Sequence, residues 1–201
     1  MSLLTFKYKN KIEAGCDEAG RGCLAGPVFA AAVILPKDFN HPLLNDSKKL
    51  NEAQRLEMAE VIKTKALTWG VARYMHYEID KVNILNASIR SMHRALDQLA
   101  LSPNILLIDG NRFIPYKDIS HECIIKGDGK YTSIAAASIL AKTERDAYMK
   151  ELHEKYPMYN WKQNKGYPTE EHRNAIIAHG PCEFHRMSFR LYPLAVQGEL
   201  F

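Results

Sequence analysis

The segment G-C-D-E-A-G-R-G-C-L-A-G, from Gly15 to Gly26, constrains the fold more than any other stretch of this chain. It separates two runs that read as strands, residues 12 to 16 and 27 to 35, and its Gly20, Gly22 and Gly26 predict tight turns between them. Asp17 and Glu18 are thereby placed where the first strand ends, which makes the segment the first candidate site. The second run, Pro27 to Leu35, is the longest apolar one and is bounded by Gly26 and Pro36. It is strand-sized, well short of the roughly 20 residues that a helix needs to cross a bilayer, so no membrane contact is expected.

Further along, apolar periodicity alternates between helix and strand. A helix is predicted from about Asn51 to Lys65, with Leu56, Ala59, Val61 and Ile62 as its apolar members, then a strand over residues 67 to 75. Ile84, Leu85, Ile89, Met92, Leu96 and Leu99 recur at helical spacing and predict one long amphipathic helix from about Ile79 to Leu101, ended by Ser102-Pro103. Ile105 to Ile108 is wholly apolar and stops abruptly at Asp109-Gly110, as a central strand does where its far end opens onto a cleft. A weaker strand is predicted near Glu122 to Lys126, and a buried helix from Ser133 to Met149. Residues 151 to 201 are more polar and aromatic, with one further helix after Pro168-Thr169. Strands grouped first, then alternating with helices, predict a mixed α/β sheet covered by helices. The expected division is a catalytic body over residues 1 to 150 and a helical C-terminal extension over residues 151 to 201.

With 201 residues and 46% apolar content, such a body can bury a full core without cross-links. Cys16, Cys23, Cys123 and Cys182 show no C-x-x-C spacing, and no secretory pattern precedes them, so neither a zinc knuckle nor a disulfide framework is expected and a cytoplasmic location fits. The net charge of +4 is compatible with a nucleic-acid partner without establishing one. Its distribution is more informative. Basic residues gather at Lys48-Lys49, between Lys126 and Lys130, and from Lys162 through Lys165 and Arg173 to Arg186 and Arg190. The last group is interleaved with Tyr156, Tyr159, Trp161, Tyr167, Phe184, Phe189 and Tyr192, which suits a surface that neutralises phosphates and stacks on sugars or bases, or equally a solvated helix with aromatics in the core.

Asp17, Glu18, Asp109 and Asp128, the last within K-G-D-G-K, recur at element boundaries. Carboxylates gathered with little basic compensation call for a hard divalent cation, and two such ions could hold a phosphodiester, activate water and stabilise the leaving oxygen. The bland alternative is a set of turn residues, which for Asp128 alone is the better account. Adjacent strand residues point to opposite faces, so Asp17 and Glu18 can serve one site only if the strand bulges or ends there.

Five stretches, in order, resemble the motifs of bacterial ribonuclease HII: Gly15 to Leu35, D-S-K-K-L from Asp46, L-L-I-D-G from Leu106, K-G-D-G-K with S-I-A-A-A-S-I-L-A-K-T-E-R-D from Lys126 to Asp146, and N-K-G-Y-P-T-E-E-H from Asn164 to His172. The resemblance implies a ribonuclease H-like mixed five-stranded sheet flanked by helices, with a helical C-terminal extension completing the substrate groove. It implies that Asp17, Glu18, Asp109 and Asp128 hold Mn²⁺ or Mg²⁺ and carry catalysis. It also implies substrate contacts from Gly20, Arg21, Gly22, Ser47, Lys48, Ser138, Lys142 and Tyr167. The activity implied is cleavage of the RNA strand of RNA/DNA hybrids and of duplex DNA on the 5′ side of an embedded ribonucleotide, leaving a 3′-hydroxyl and a 5′-phosphate. A 2′-hydroxyl is the one group that separates RNA from DNA at a single nucleotide, and glycines let backbone donors approach it closely.

Asp146 is read as a carboxylate paired with an arginine or one that supports the metal ligands, and His172 as a helix-surface histidine. Cys16 and Cys23 are not placed to act as nucleophiles. A monomer is expected, and contact with the replication or transcription machinery is not derivable from the sequence; the terminal Q-G-E-L-F faintly resembles a clamp-binding tail but reads better as a frayed end. Two rivals differ in class. A nuclease of the same fold that attacks pure DNA is disfavoured by the glycine-arginine-glycine loop, and a hybrid-binding module without catalysis would be expected to have lost some of the four acidic residues.

Overall fold

The computed structural model describes residues 3–44 and 50–192. Its frame is a sheet of strands β1 (Glu13–Ala19), β2 (Val28–Ile34), β3 (Thr68–Tyr74), β4 (Ile105–Asp109) and β5 (Ser120–Ile124), arranged in the order β3-β2-β1-β4-β5. The first three strands pair antiparallel, and β4 and β5 join parallel to β1 and to each other. This is the mixed five-stranded α/β sheet that the sequence and its family resemblance predict.

Helices cover both faces: α1 (Glu52–Lys65), α2 (His76–Val82), α3 (Ile84–Leu96) and α4 (Thr132–Lys155). All seven residues of β2 are buried, because α1 and α4 pack on one face with Ala31 and Val33, and α3 packs on the other with Ala30, Ala32 and Ile34. Small side chains set these distances. At Gly15 an added Cβ would lie 2.2 Å from the carbonyl carbon of Ser133, so glycine is what lets α4 rest directly on β1.

Several boundaries differ from expectation, among them α4, predicted to end at Met149 and running on to Lys155. The predicted helix from Ile79 to Leu101 is two helices broken at Asn83, which adopts φ 67°. Its N–H closes α2 on Ile79 and its side chain accepts the N–H of Asn86 to open α3; asparagine tolerates this left-handed φ better than most residues. The second helix ends at Leu96 instead of reaching Leu101. The weaker strand lies at Ser120–Ile124, earlier than Glu122 to Lys126, and Lys126 turns the chain with φ 56°.

Residue 150 lies inside α4, which runs 24 residues from the sheet into the C-terminal segment. There α5 (Trp161–Asn164) and α6 (Glu170–His179) follow, α6 capped by the Thr169 hydroxyl. Their core joins Met149 and Leu152 to Tyr159, Trp161, Ile176 and Leu191, and also takes in Leu24 and Ala25 from the glycine segment. Truncating the fully buried Trp161 to alanine would cost about 3–5 kcal/mol. Among the described residues no helix is long and apolar enough to cross a membrane.

Candidate active site

The site forms where β4 stops pairing with β1. That ladder ends at Cys16 opposite Ile108, while the β1–β2 ladder continues through Asp17, Glu18 and Ala19. Asp17 and Glu18 therefore lie beside an open gap with Asp109 at its rim. Alternation sends their side chains to opposite faces, yet both flank the same strand end, which is how neighbouring residues come to share one field.

Each carboxylate has protein partners. Asp17 is buried, takes the N–H of Glu18 at 2.7 Å and is hydrogen-bonded with Ser138 of α4. Glu18 meets the Arg21 guanidinium at 3.0 Å. An Asp109 oxygen accepts the N–H of Gly127 at 2.6 Å, tying it to the single helical turn Gly127–Gly129 that carries half-buried Asp128.

Burial raises the Asp17 pKa well above the usual carboxylate range, and the charges of Glu18 and Asp109 raise it further against the opposing effect of Ser138. Glu18 is raised as well, by burial first and by Asp109, with Arg21 working the other way. Three acidic groups thus repel one another at a strand end, a pattern of perturbation that marks functional sites more often than structural ones.

This donor set suits a hard divalent cation, since every contributor is a carboxylate oxygen. Cys16 is on the opposite side of β1 from Asp17, among the α3-facing core, and burial drives its thiol pKa upward, so no soft ligand competes. Among the described residues no three His, Cys, Asp or Glu side chains are spaced to hold an ion outright.

The glycine loop follows directly. Gly20 adopts φ 96°, and an added Cβ would lie 2.0 Å from Nε of Arg145. Arg21 and Gly22 are exposed. Behind them Tyr167 is 38% exposed, with the Lys142 ammonium 5.9 Å and the Arg145 guanidinium 5.8 Å from its ring centre. Its hydroxyl is hydrogen-bonded with the Cys23 thiol, and burial is the main cause of its raised pKa. Lys142 bonds both Asp146 oxygens at 2.5 and 2.7 Å, and Arg55 lies 3.8 Å from one of them. Asp146 thus pairs chiefly with Lys142 and at longer range with Arg55, an arginine pairing being one of the two alternatives the sequence left open.

A family model for ribonuclease HII matches residues 14–192. The chain belongs to the ribonuclease HII family. It is a type 2 ribonuclease H, and ribonuclease activity on RNA/DNA hybrids goes with that membership. It is 64% identical over 189 residues to the ribonuclease HII of Bacteroides thetaiotaomicron, spanning 94% of each chain. Among solved structures, the ribonuclease HII of a PCNA:RNase HII complex from Archaeoglobus fulgidus is similar at a TM-score of 0.75, with 27% identity over 93% of this chain and 99% of that one. A Bst-RNase HIII crystallised in complex with Mn²⁺ shares the fold at a TM-score of 0.68, with 19% identity over 94% of this chain and 70% of that one.

Relative to the ribonuclease HII motifs, the structure brings Asp17, Glu18 and Asp109 within electrostatic reach of one another, with Ser138 hydrogen-bonded to Asp17 and Arg21 to Glu18, and brings Lys142 against Tyr167. Ser47 and Lys48 lie outside the described residues, as does Q-G-E-L-F. His172 is fully buried and not on a helix surface. Burial is possible because its ring is surrounded by hydrogen-bonding partners. Trp161 Nε1 donates to its Nε2 at 2.9 Å, His185 Nε2 lies 3.2 Å from the same nitrogen, and its Nδ1 lies 2.9 Å from the Tyr167 carbonyl. That network fixes the neutral tautomer with a proton on Nδ1.

Two arginines are buried where the sequence does not predict it: Arg186, which reads as part of a basic tail suited to phosphates, and Arg145. Arg145 shares a helical stripe with Ala141 and Met149, so its spacing carried a signal of burial that its charge obscured. Arg186 lies in an irregular segment where no periodicity exists to reveal it.

Proposed function

We propose that this chain is an endoribonuclease that hydrolyses the RNA strand of RNA/DNA hybrids and also cuts duplex DNA on the 5′ side of a single embedded ribonucleotide. The observation that carries this reading is the repulsive trio of Asp17, Glu18 and Asp109 beside a glycine-arginine-glycine loop whose Arg21 and Gly22 are exposed. Asp17, Glu18, Asp109 and Asp128 would hold Mg²⁺ or Mn²⁺. Bound divalent ions would activate water and stabilise charge on the leaving oxygen. Water adds to phosphorus and the bond to the 3′-oxygen breaks, leaving a 3′-hydroxyl and a 5′-phosphate.

The chain's own groups set register. Backbone donors of Gly20, Arg21 and Gly22 would meet the 2′-hydroxyl, and the half-exposed Tyr167 ring offers a flat face for the neighbouring sugar. Lys142 and Ser138, with Ser47 and Lys48, would line the phosphate path. Residues 151 to 201 would complete the groove, since Tyr167 and the Lys162–Lys165 segment come from them.

The test is a DNA duplex carrying one ribonucleotide, beside an all-DNA duplex and an RNA/DNA hybrid, each with Mg²⁺ and Mn²⁺ in turn. Incision 5′ of the ribonucleotide and cutting of the hybrid, with the all-DNA duplex intact, is expected. Equal cutting of all three would overturn the reading.

A further inference from the structure

The loop from Gly20 to Pro27 turns its carbonyls towards two guanidiniums. Arg186 donates from Nε to Gly26 at 2.9 Å, from Nη1 to Arg21 at 3.0 Å and from Nη2 to Gly20 at 2.8 Å. Arg145 donates to the carbonyls of Pro27 at 3.2 Å, Ala25 at 3.2 Å and Lys165 at 2.8 Å. Both side chains are fully buried, and among the described residues neither is ion-paired with a carboxylate. A buried cation satisfied only by main-chain carbonyls is an expensive way to fill space, since an apolar side chain would pack there without desolvating a charge. What the guanidinium fork supplies is geometry, several donors in one plane at fixed angles.

That geometry acts on the far side of the loop. In a trans peptide the C=O and the following N–H point in opposite directions, and no peptide bond here is cis. Pulling the Gly20 carbonyl inward onto Arg186 therefore turns the Arg21 N–H outward, and pulling the Arg21 carbonyl inward turns the Gly22 N–H outward. Both residues are exposed.

The geometry points to Arg186, assisted by Arg145, as a positioning residue for ribonucleotide recognition: the clamp aims the N–H groups of Arg21 and Gly22 at the 2′-hydroxyl. This rests on the function proposed above and adds what sets its specificity. The C-terminal segment is then part of the reading head, and it is itself pinned from outside. Asp80 on α2 accepts the Met187 N–H at 3.0 Å, the Ser188 N–H at 3.1 Å and the Ser188 hydroxyl at 2.5 Å, fixing the residues that follow Arg186.

The experiment compares the wild-type protein with Arg186→Lys and Asp80→Ala on a single-ribonucleotide duplex and on a uniform RNA/DNA hybrid, recording kcat, KM and cut position. A lysine keeps the charge but cannot bridge three carbonyls. Asp80→Ala frees the segment from the surface and leaves the buried core intact. Misplacing a reacting group by about 1 Å can cost about a hundredfold in rate. Because a hybrid presents a 2′-hydroxyl in every register and the duplex in only one, the loss should be larger on the duplex. The expected result is a duplex-to-hybrid kcat ratio lowered at least tenfold in Arg186→Lys and a few-fold in Asp80→Ala, with incision spread to neighbouring positions. Should Arg186→Lys not fold, Asp80→Ala alone decides. Unchanged ratios and cut positions in the variants that fold would overturn the inference while leaving the proposed function standing. A wild-type protein that cuts the hybrid but ignores the single ribonucleotide would overturn the loop's proposed role and this inference with it.

Discussion

The acidic end of β1 and the loop that begins one residue later balance their charges in opposite ways. At Asp17, Glu18 and Asp109 three negative groups lie within electrostatic reach of one another, and burial of Asp17 and Glu18 makes the repulsion worse. From Gly20 to Pro27 the reverse holds: two buried cations meet main-chain acceptors in nearly saturated hydrogen bonding. The first region keeps a mutual repulsion that bound cations would relieve. The second is satisfied internally and held rigid. The proposed catalytic and substrate-reading roles thus fall on neighbouring stretches of one chain with opposite physical demands, and substitutions should separate them.

Asp17→Asn should make the contrast largest. Hydrolysis should fall about a thousandfold, as expected for loss of a charged group in an electrostatic site. Stability without divalent ions should stay level or rise, because a repulsive buried charge is gone; denaturant melts beside turnover assays would show it. Gly20→Ala should do the opposite to stability. Its positive φ and the approach to Arg145 predict a loss of about 3 kcal/mol, read from the same melts.

The extension should respond to acid. His185 is buried with His172 and His76 nearby, and burial first, then those histidines, lowers its pKa to about 4 from an ordinary 6.5. Its Nδ1 accepts the Cys182 N–H at 3.0 Å, which a protonated ring could not do. Between those values the unfolded chain binds a proton that the folded one refuses. The stability is therefore complete above about pH 6.5 and declines as pH falls towards 4, by up to roughly 3 kcal/mol. Trp161 fluorescence should report it, since its indole donates to His172. The smallest effect expected is that of Tyr167→Ala: about tenfold slower incision at a single ribonucleotide, with duplex affinity little changed, since a half-exposed ring orients the sugar more than it binds it.

Much of this was legible in the sequence, and the reasons are physical. The runs at Val28–Ile34 and Ile105–Asp109 are apolar because their strands are covered on both faces, and the Asp109 position follows from where the second run stops. The helix from Glu52 announces itself through an Asn51–Gln54 capping box. Asn83 hid its break because the apolar spacing continues across it; a single left-handed residue rotates the second helix without disturbing the pattern. Arg186 and His172 were illegible as buried groups because their partners are backbone carbonyls and rings brought from other segments, which no local spacing encodes.

The proposed mechanism requires that Asp17, Glu18 and Asp109 form one site for divalent ions. Calorimetric titration of Mn²⁺ into the wild-type protein and into Asp109→Asn, without nucleic acid, tests it most directly. Saturable binding that weakens at least tenfold in the variant is the predicted result. Equal affinity in both proteins would contradict it.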